Sequence, residues 1–148
     1  MTAAMLSLII CPAWAEVQFS DSYVIRPPNA AVRSAVAVTK ISNLNAHGVD
    51  LVGVSSPDAE KVEYHLLEHK NGVVSMTAQP VVHIEGNALL ELHEGGLHIM
   101  LTGLGEAFSE QLSTEITFFF SDGSRLTQTF TLVHGAPRGS QQIDHEHH

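Results

Sequence analysis

The chain reads as an all-β sandwich, and three observations carry that reading. Apolar and polar residues alternate, or β-branched residues run together, over most of its length. Turn signals interrupt these runs about every eight to twelve residues. No segment keeps a helical period for longer than a turn near residues 107–111.

The elements follow in order. Residues 17–25 alternate and stop before Pro27-Pro28-Asn29. Residues 35–42 carry β-branched residues and form the second strand. The turn Asn45-Ala46-His47-Gly48 leads into a strand at 49–55. Strands at 61–70 and 73–79 flank Asn71-Gly72, a strong hairpin signal because both residues tolerate positive φ. Strands at 88–93 and 98–104 flank Glu94-Gly95-Gly96, and strands at 115–120 and 124–133 flank Asp122-Gly123. Nothing marks a second domain, so residues 16–134 form one β-sandwich unit.

Composition narrows the function. With 16% charged and 44% hydrophobic residues the chain is globular rather than disordered. A formal net charge of −9, with only 7 Lys and Arg, leaves too few cations for nucleic acid. No nucleophile elbow, phosphate loop or H-E-x-x-H occurs, so the chain reads as a non-enzyme. The outlier is histidine, at 10 residues.

The two ends read differently from the middle. Residues 1–15 hold a short apolar run and then Ala13-Trp14-Ala15, a signal-peptide pattern cut before Glu16, though without a basic n-region. The run is too short to span a bilayer. Cys11, the single cysteine, lies inside this leader, and the bulky Ile10 before it disfavours a lipid anchor there. A mature chain without cysteine excludes a disulfide, a Cys-ligated zinc and a blue-copper centre. Residues 135–148 lack apolar periodicity and form a polar tail ending Asp144-His145-Glu146-His147-His148. Its imidazoles and carboxylates suit Cu(II) or zinc, and His145, His147 and His148 are candidate Cu(II) ligands.

Function is most legible in one pattern. His65, Met76, His98 and Met100 are spaced H-x10-M-x21-H-x-M, and beyond the leader Met76 and Met100 are the only methionines. Thioether sulfur with neutral imidazole and no thiolate is a ligand set for Cu(I), a soft d10 ion. Hard cations prefer oxygen, and zinc prefers imidazole, thiolate or carboxylate. Alternation points His98 and Met100 to one face and Leu97, Ile99 and Leu101 to the other. The Asn71-Gly72 turn folds Met76 back toward His65. Glu63 falls on the His65 face, where a solvated rim charge is expected and a hydrogen bond to His65 is the alternative. His69, His83 and His93 are weaker ligand candidates, while His47 and His134 read as solvated.

These residues resemble the periplasmic copper chaperones of the PCu(A)C family. Gly95-Gly96-Leu97-His98-Ile99-Met100-Leu101-Thr102-Gly103-Leu104 is similar to that family's GGxHxMLxGL signature, and Val62-Glu63-Tyr64-His65 to its first ligand strand. Asp50-Leu51-Val52-Gly53-Val54-Ser55-Ser56-Pro57 is also typical of it. The resemblance implies a cupredoxin-like, immunoglobulin-like Greek-key β-sandwich that binds Cu(I) in the periplasm. It further implies delivery to an acceptor protein, an oxidase subunit or assembly factor, during cytochrome c oxidase assembly. His-rich tails in that family are linked to a Cu(II) site. Two other readings remain open: a copper-buffering module with no dedicated acceptor, and a sandwich for adhesion or assembly that binds no metal.

Overall fold

The computed structural model describes residues 12–135, and ten strands follow one another along them. They are β1 (Val17–Ile25), β2 (Ser34–Asn43), β3 (Val49–Ser55), β4 (Lys61–Lys70), β5 (Val73–Gln79), β6 (Val82–Ile84), β7 (Leu89–Glu91), β8 (Leu97–Thr102), β9 (Ser113–Phe120) and β10 (Arg125–Val133). Short 3-10 turns at Ala13–Glu16 and Glu106–Glu110 are the helical elements among the described residues. The second of them is the turn expected near residues 107–111.

Hydrogen bonds order the strands β5-β4-β8-β2-β1-β10-β9-β3-β6, with β7 also on β2. The all-β sandwich expected from the sequence arises because this long sheet folds over on itself. β1 makes the crossing. Its pairing with β2 shifts register between Ser20 and Tyr23, where Asp21 takes a positive φ of 51°. Beyond the shift, Tyr23–Ile25 runs parallel to β10. A bulge of this kind bends a strand and sharpens its twist. The β4 and β3 layers then meet face to face, and the Tyr64 hydroxyl donates to the Gly53 carbonyl at 3.2 Å between them. Burial holds the Tyr64 phenol protonated far above its usual range.

Between the layers Ile41, Leu51, Ile99, Leu101, Ile116, Phe118 and Phe130 are fully buried, and Phe19 packs on Phe118 with ring centroids 4.6 Å apart. Each such side chain stabilises the fold by about 1.5–3 kcal/mol. Ile99 and Leu101 belong to β8 and face this core, as alternation predicted.

Several strand ends differ from expectation by one or two residues, and two elements differ more. β6 was not anticipated: three residues after Pro80 are too few to show a period, and pairing with β3 makes them a strand. The strand expected at 88–93 shrinks to Leu89–Glu91, because Asn87 turns the chain with a φ of 58° just before it. The end of the proposed leader is docked. The Ala13 amide donates to Asp122 Oδ2 at 2.9 Å, and Asn45 Nδ2 donates to the Ala13 carbonyl at 3.2 Å. Most of the proposed leader and the tail histidines His145, His147 and His148 lie outside the described residues. Among the described residues no helix is long and apolar enough to cross a membrane.

Candidate metal centre

The β4–β8 ladder decides the geometry. In that antiparallel pair His65 lies directly opposite His98, and Glu63 opposite Met100. On the other side of β4, Leu67 lies opposite Met76 of β5 and His65 opposite Ala78. Directly opposed residues point to the same face of a sheet, as do residues two apart on one strand. His65, Met76, His98 and Met100 therefore share one face, away from Ile99 and Leu101. The Asn71-Gly72 turn, with φ of 52° and 75°, sets the β4–β5 register.

The structure brings the histidines together most closely. Their ring centroids are 6.2 Å apart at an interplanar angle of 62°. Each methionine sits one diagonal step from His65, Met76 toward Leu67 and Met100 toward Glu63. Such a step is about 7–8 Å, within reach of a long side chain. The methionines lie on opposite flanks of His65, about 16 Å apart between Cα atoms on a flat sheet. Curling of the β4–β5 hairpin is needed to bring both sulfurs to one ion.

Exposure varies steeply across the four. His98 is 1% exposed, Met100 is half-buried and Met76, on the edge strand β5, is 48% exposed. His98 is fixed by the turn that precedes β8. There the Gly96 amide donates to the His93 carbonyl at 3.1 Å and the His93 amide to the Leu97 carbonyl at 2.9 Å. Gly96 must be glycine for the His93 ring to lie on it, because a Cβ there would stand 2.6 Å from His93 Nε2. The Gly96 carbonyl then accepts from His98 Nδ1 at 3.0 Å and from the Leu67 amide at 3.1 Å.

His65 is held differently. Its Nε2 lies 3.0 Å from Glu63 Oε2, and Lys61 Nζ lies 3.2 Å from Glu63 Oε1. Glu63 is thus more than the solvated rim charge expected from the sequence. Alternation had placed it on the right face, but only the fold closes the contact. Bonds from His65 and then Lys61 hold its carboxyl below the usual range.

Each imidazole keeps one nitrogen in reserve. His65 Nδ1 and His98 Nε2 are buried without a hydrogen-bond partner. Orphaned buried polar atoms are rare and costly in native folds. Burial, opposed by the Gly96 carbonyl and aided by His65, pushes His98 protonation below the ordinary imidazole range, so its lone pair stays available. Among the described residues no three His, Cys, Asp or Glu side chains gather as a metal site. The donor chemistry here is two unpartnered imidazole nitrogens with thioether-bearing residues beside them, which fits Cu(I) and does not fit a hard cation.

None of the other described strand histidines stands opposite His65 or His98 on the β4–β8 ladder. His83 Nδ1 pairs with Asp50 Oδ1 at 2.6 Å and its Nε2 with Glu85 Oε1 at 3.1 Å, on the exposed outside of β6. His93 lies in the turn beside Gly96, and His69 lies opposite Val74 near the hairpin end.

Comparison with known proteins now bears on the chain as a whole. The LpqE-like lipoprotein family matches residues 17–132. The chain belongs to that family. A relative from Leifsonia xyli subsp. xyli, named as lipoprotein Lxx21020, is 29% identical over 134 residues, covering 84% of this chain and 81% of its own. Among solved structures, the copper-bound PCuAC domain from PmoF2 superposes with a TM-score of 0.66 at 16% identity, over 81% of this chain and 94% of that one. The solution structure of apo-DR1885 from Deinococcus radiodurans gives 0.61 at 24%, over 92% and 95%. Its Cu(I) form gives 0.57 at 23%, over 79% of each chain. At these identities the likeness is one of fold: this LpqE-like chain has the cupredoxin-like β-sandwich of PCuAC domains.

Proposed function

We propose that this LpqE-like protein carries Cu(I) as cargo through His65, Met76, His98 and Met100 and passes it to an acceptor protein in the cell envelope. The observation that carries the reading is the pair of facing imidazoles, each with a buried, unpartnered nitrogen. Among the described residues neither orphan has a hydrogen-bond partner, and Met76 and Met100 each lie one diagonal step from His65 on the same sheet face. The copper-bound PCuAC domain of PmoF2 and the Cu(I) form of DR1885 agree with this use of the fold. The protein is then a carrier and not an enzyme. Its acceptor is an oxidase copper site or an assembly factor for one.

Anaerobic titration against a chromophoric Cu(I) chelator tests this reading. One Cu(I) per chain withdrawn from the chelator supports it. Copper left entirely with the chelator overturns it in favour of a sandwich that binds no metal. Transfer from the loaded protein to a reduced, metal-free oxidase copper domain separates delivery from buffering.

Two features of the chain ends extend the proposal. His145, His147 and His148 form a weaker Cu(II) site in the tail, and removing residues 139–148 eliminates it while leaving Cu(I) binding intact. The family's lipoprotein character points to an exported, envelope-held protein. Cleavage before Glu16 releases a protein without cysteine, whereas processing at Cys11 leaves that cysteine at the N-terminus with lipid on its sulfur. The docked Ala13 supports the second route against the bulky Ile10, which speaks for the first, since the first removes the bonds of Ala13 to Asp122 and Asn45. The mass of the mature N-terminal peptide distinguishes them.

A further inference from the structure

We infer that the two histidines bind the ion through different nitrogens, His65 through Nδ1 and His98 through Nε2, and that Glu63 is the positioning residue that enforces the first of these. The inference rests on the copper reading above but concerns atoms which that reading leaves open.

The hydrogen inventory of each ring decides its tautomer. A carboxylate and a carbonyl only accept hydrogen bonds. The ring nitrogen 3.0 Å from Glu63 Oε2 must therefore carry the hydrogen, which makes neutral His65 the Nε2–H tautomer. Its lone pair then sits on Nδ1, which is the orphaned atom. By the same reasoning the Gly96 carbonyl, 3.0 Å from His98 Nδ1, makes His98 the Nδ1–H tautomer with its lone pair on the orphaned Nε2. Two opposite tautomers thus present two lone pairs from rings that face each other across the β4–β8 ladder. Partners of a ligand imidazole commonly set its orientation and tautomer in this way.

The two devices are not equivalent. His98 is locked by backbone, which no side-chain substitution removes. His65 depends on one carboxylate, itself steered by Lys61 at 3.2 Å. Glu63 lies opposite Met100, so its backbone position is fixed by the same ladder that aligns the histidines. Changing Glu63 to glutamine keeps its size but removes the constraint, because an amide can donate as well as accept.

Long-range 1H–15N correlation spectra, which report hydrogen and metal at each ring nitrogen, test the inference at a pH where both rings are neutral. In the metal-free wild type His65 should show Nε2–H and His98 Nδ1–H. On loading with Cu(I), the signals of His65 Nδ1 and His98 Nε2 should shift. In Glu63→Gln, His65 should become a tautomer mixture while His98 and the melting temperature stay unchanged, and Cu(I) affinity should fall about tenfold. A wild-type His65 carrying its hydrogen on Nδ1, or binding copper through Nε2, overturns the inference. So does a Glu63→Gln protein with unaltered tautomer and affinity. If neither ring responds to Cu(I), the copper reading itself fails, and this inference with it.

Discussion

His98 and Met76 stand at opposite ends of the same candidate site, and their surroundings differ in each respect that bears on holding an ion. His98 lies on an inner strand, 1% exposed, with its ring bonded to a backbone carbonyl. Met76 lies on the edge strand β5, 48% exposed, in a stretch whose residues are nearly all exposed. One end is preorganised and the other is free to move. The proposed carrier must hold its cargo and also release it, and the contrast would divide these tasks between the two ends. Under the proposed copper reading, the β8 side would supply affinity and the β5 side access for an incoming acceptor ligand.

Breaking the buried end should have the largest effect. His98→Leu removes the proposed inner ligand and should weaken Cu(I) binding by at least about a hundredfold, read by chelator competition. The metal-free fold should be little affected, within about 1.5 kcal/mol in chemical denaturation, because a similar-sized apolar side chain replaces a buried ring that carries an unpaired atom. The Gly96 carbonyl keeps its bond from the Leu67 amide. A large loss of stability instead makes His98 a structural core residue.

The methionines sharpen the comparison. Met100→Leu and Met76→Leu preserve volume and apolarity, so each should change stability by less than about 1.5 kcal/mol. Affinity should fall more for half-buried Met100 than for Met76. For Met76→Leu the change should fall mainly on the rate of transfer to an acceptor or chelator, measured by stopped flow. An equal affinity loss for both variants contradicts the division between the two ends.

The smallest effect is expected far from the site. The Asp50 carboxylate beside His83 raises its pKa above the ordinary value. A raised folded-state pKa means that this pair stabilises the fold below the unfolded histidine's range, about 6.5, and that the contribution is lost as pH rises through the higher folded value. Both side chains are well exposed, so the thermodynamic effect is slight. Asp50→Asn should lower the His83 midpoint in an NMR titration and leave copper affinity unchanged.

Much of this contrast can be read in the sequence, and the unread part has a common cause. Alternation in residues 97–102 is local, so the opposite facing of His98 and Ile99 follows from the period of a strand. The Asn71-Gly72 hairpin is equally local, and it correctly set β5 beside β4. The pairing of His65 with His98 joins residues far apart in sequence, and nothing in either segment specifies its partner's register. The burial of His98 and the Glu63 contact depend on that register, so a solvated Glu63 was the natural expectation. β6 went unread because three residues carry no period, and its pairing with β3 is again non-local.

X-ray absorption at the copper edge, on protein loaded anaerobically with one equivalent of Cu(I), tests the central claim most directly. The account predicts a first shell containing both nitrogen and sulfur, with the sulfur contribution diminished in Met100→Leu. A shell of only oxygen and nitrogen neighbours would contradict it.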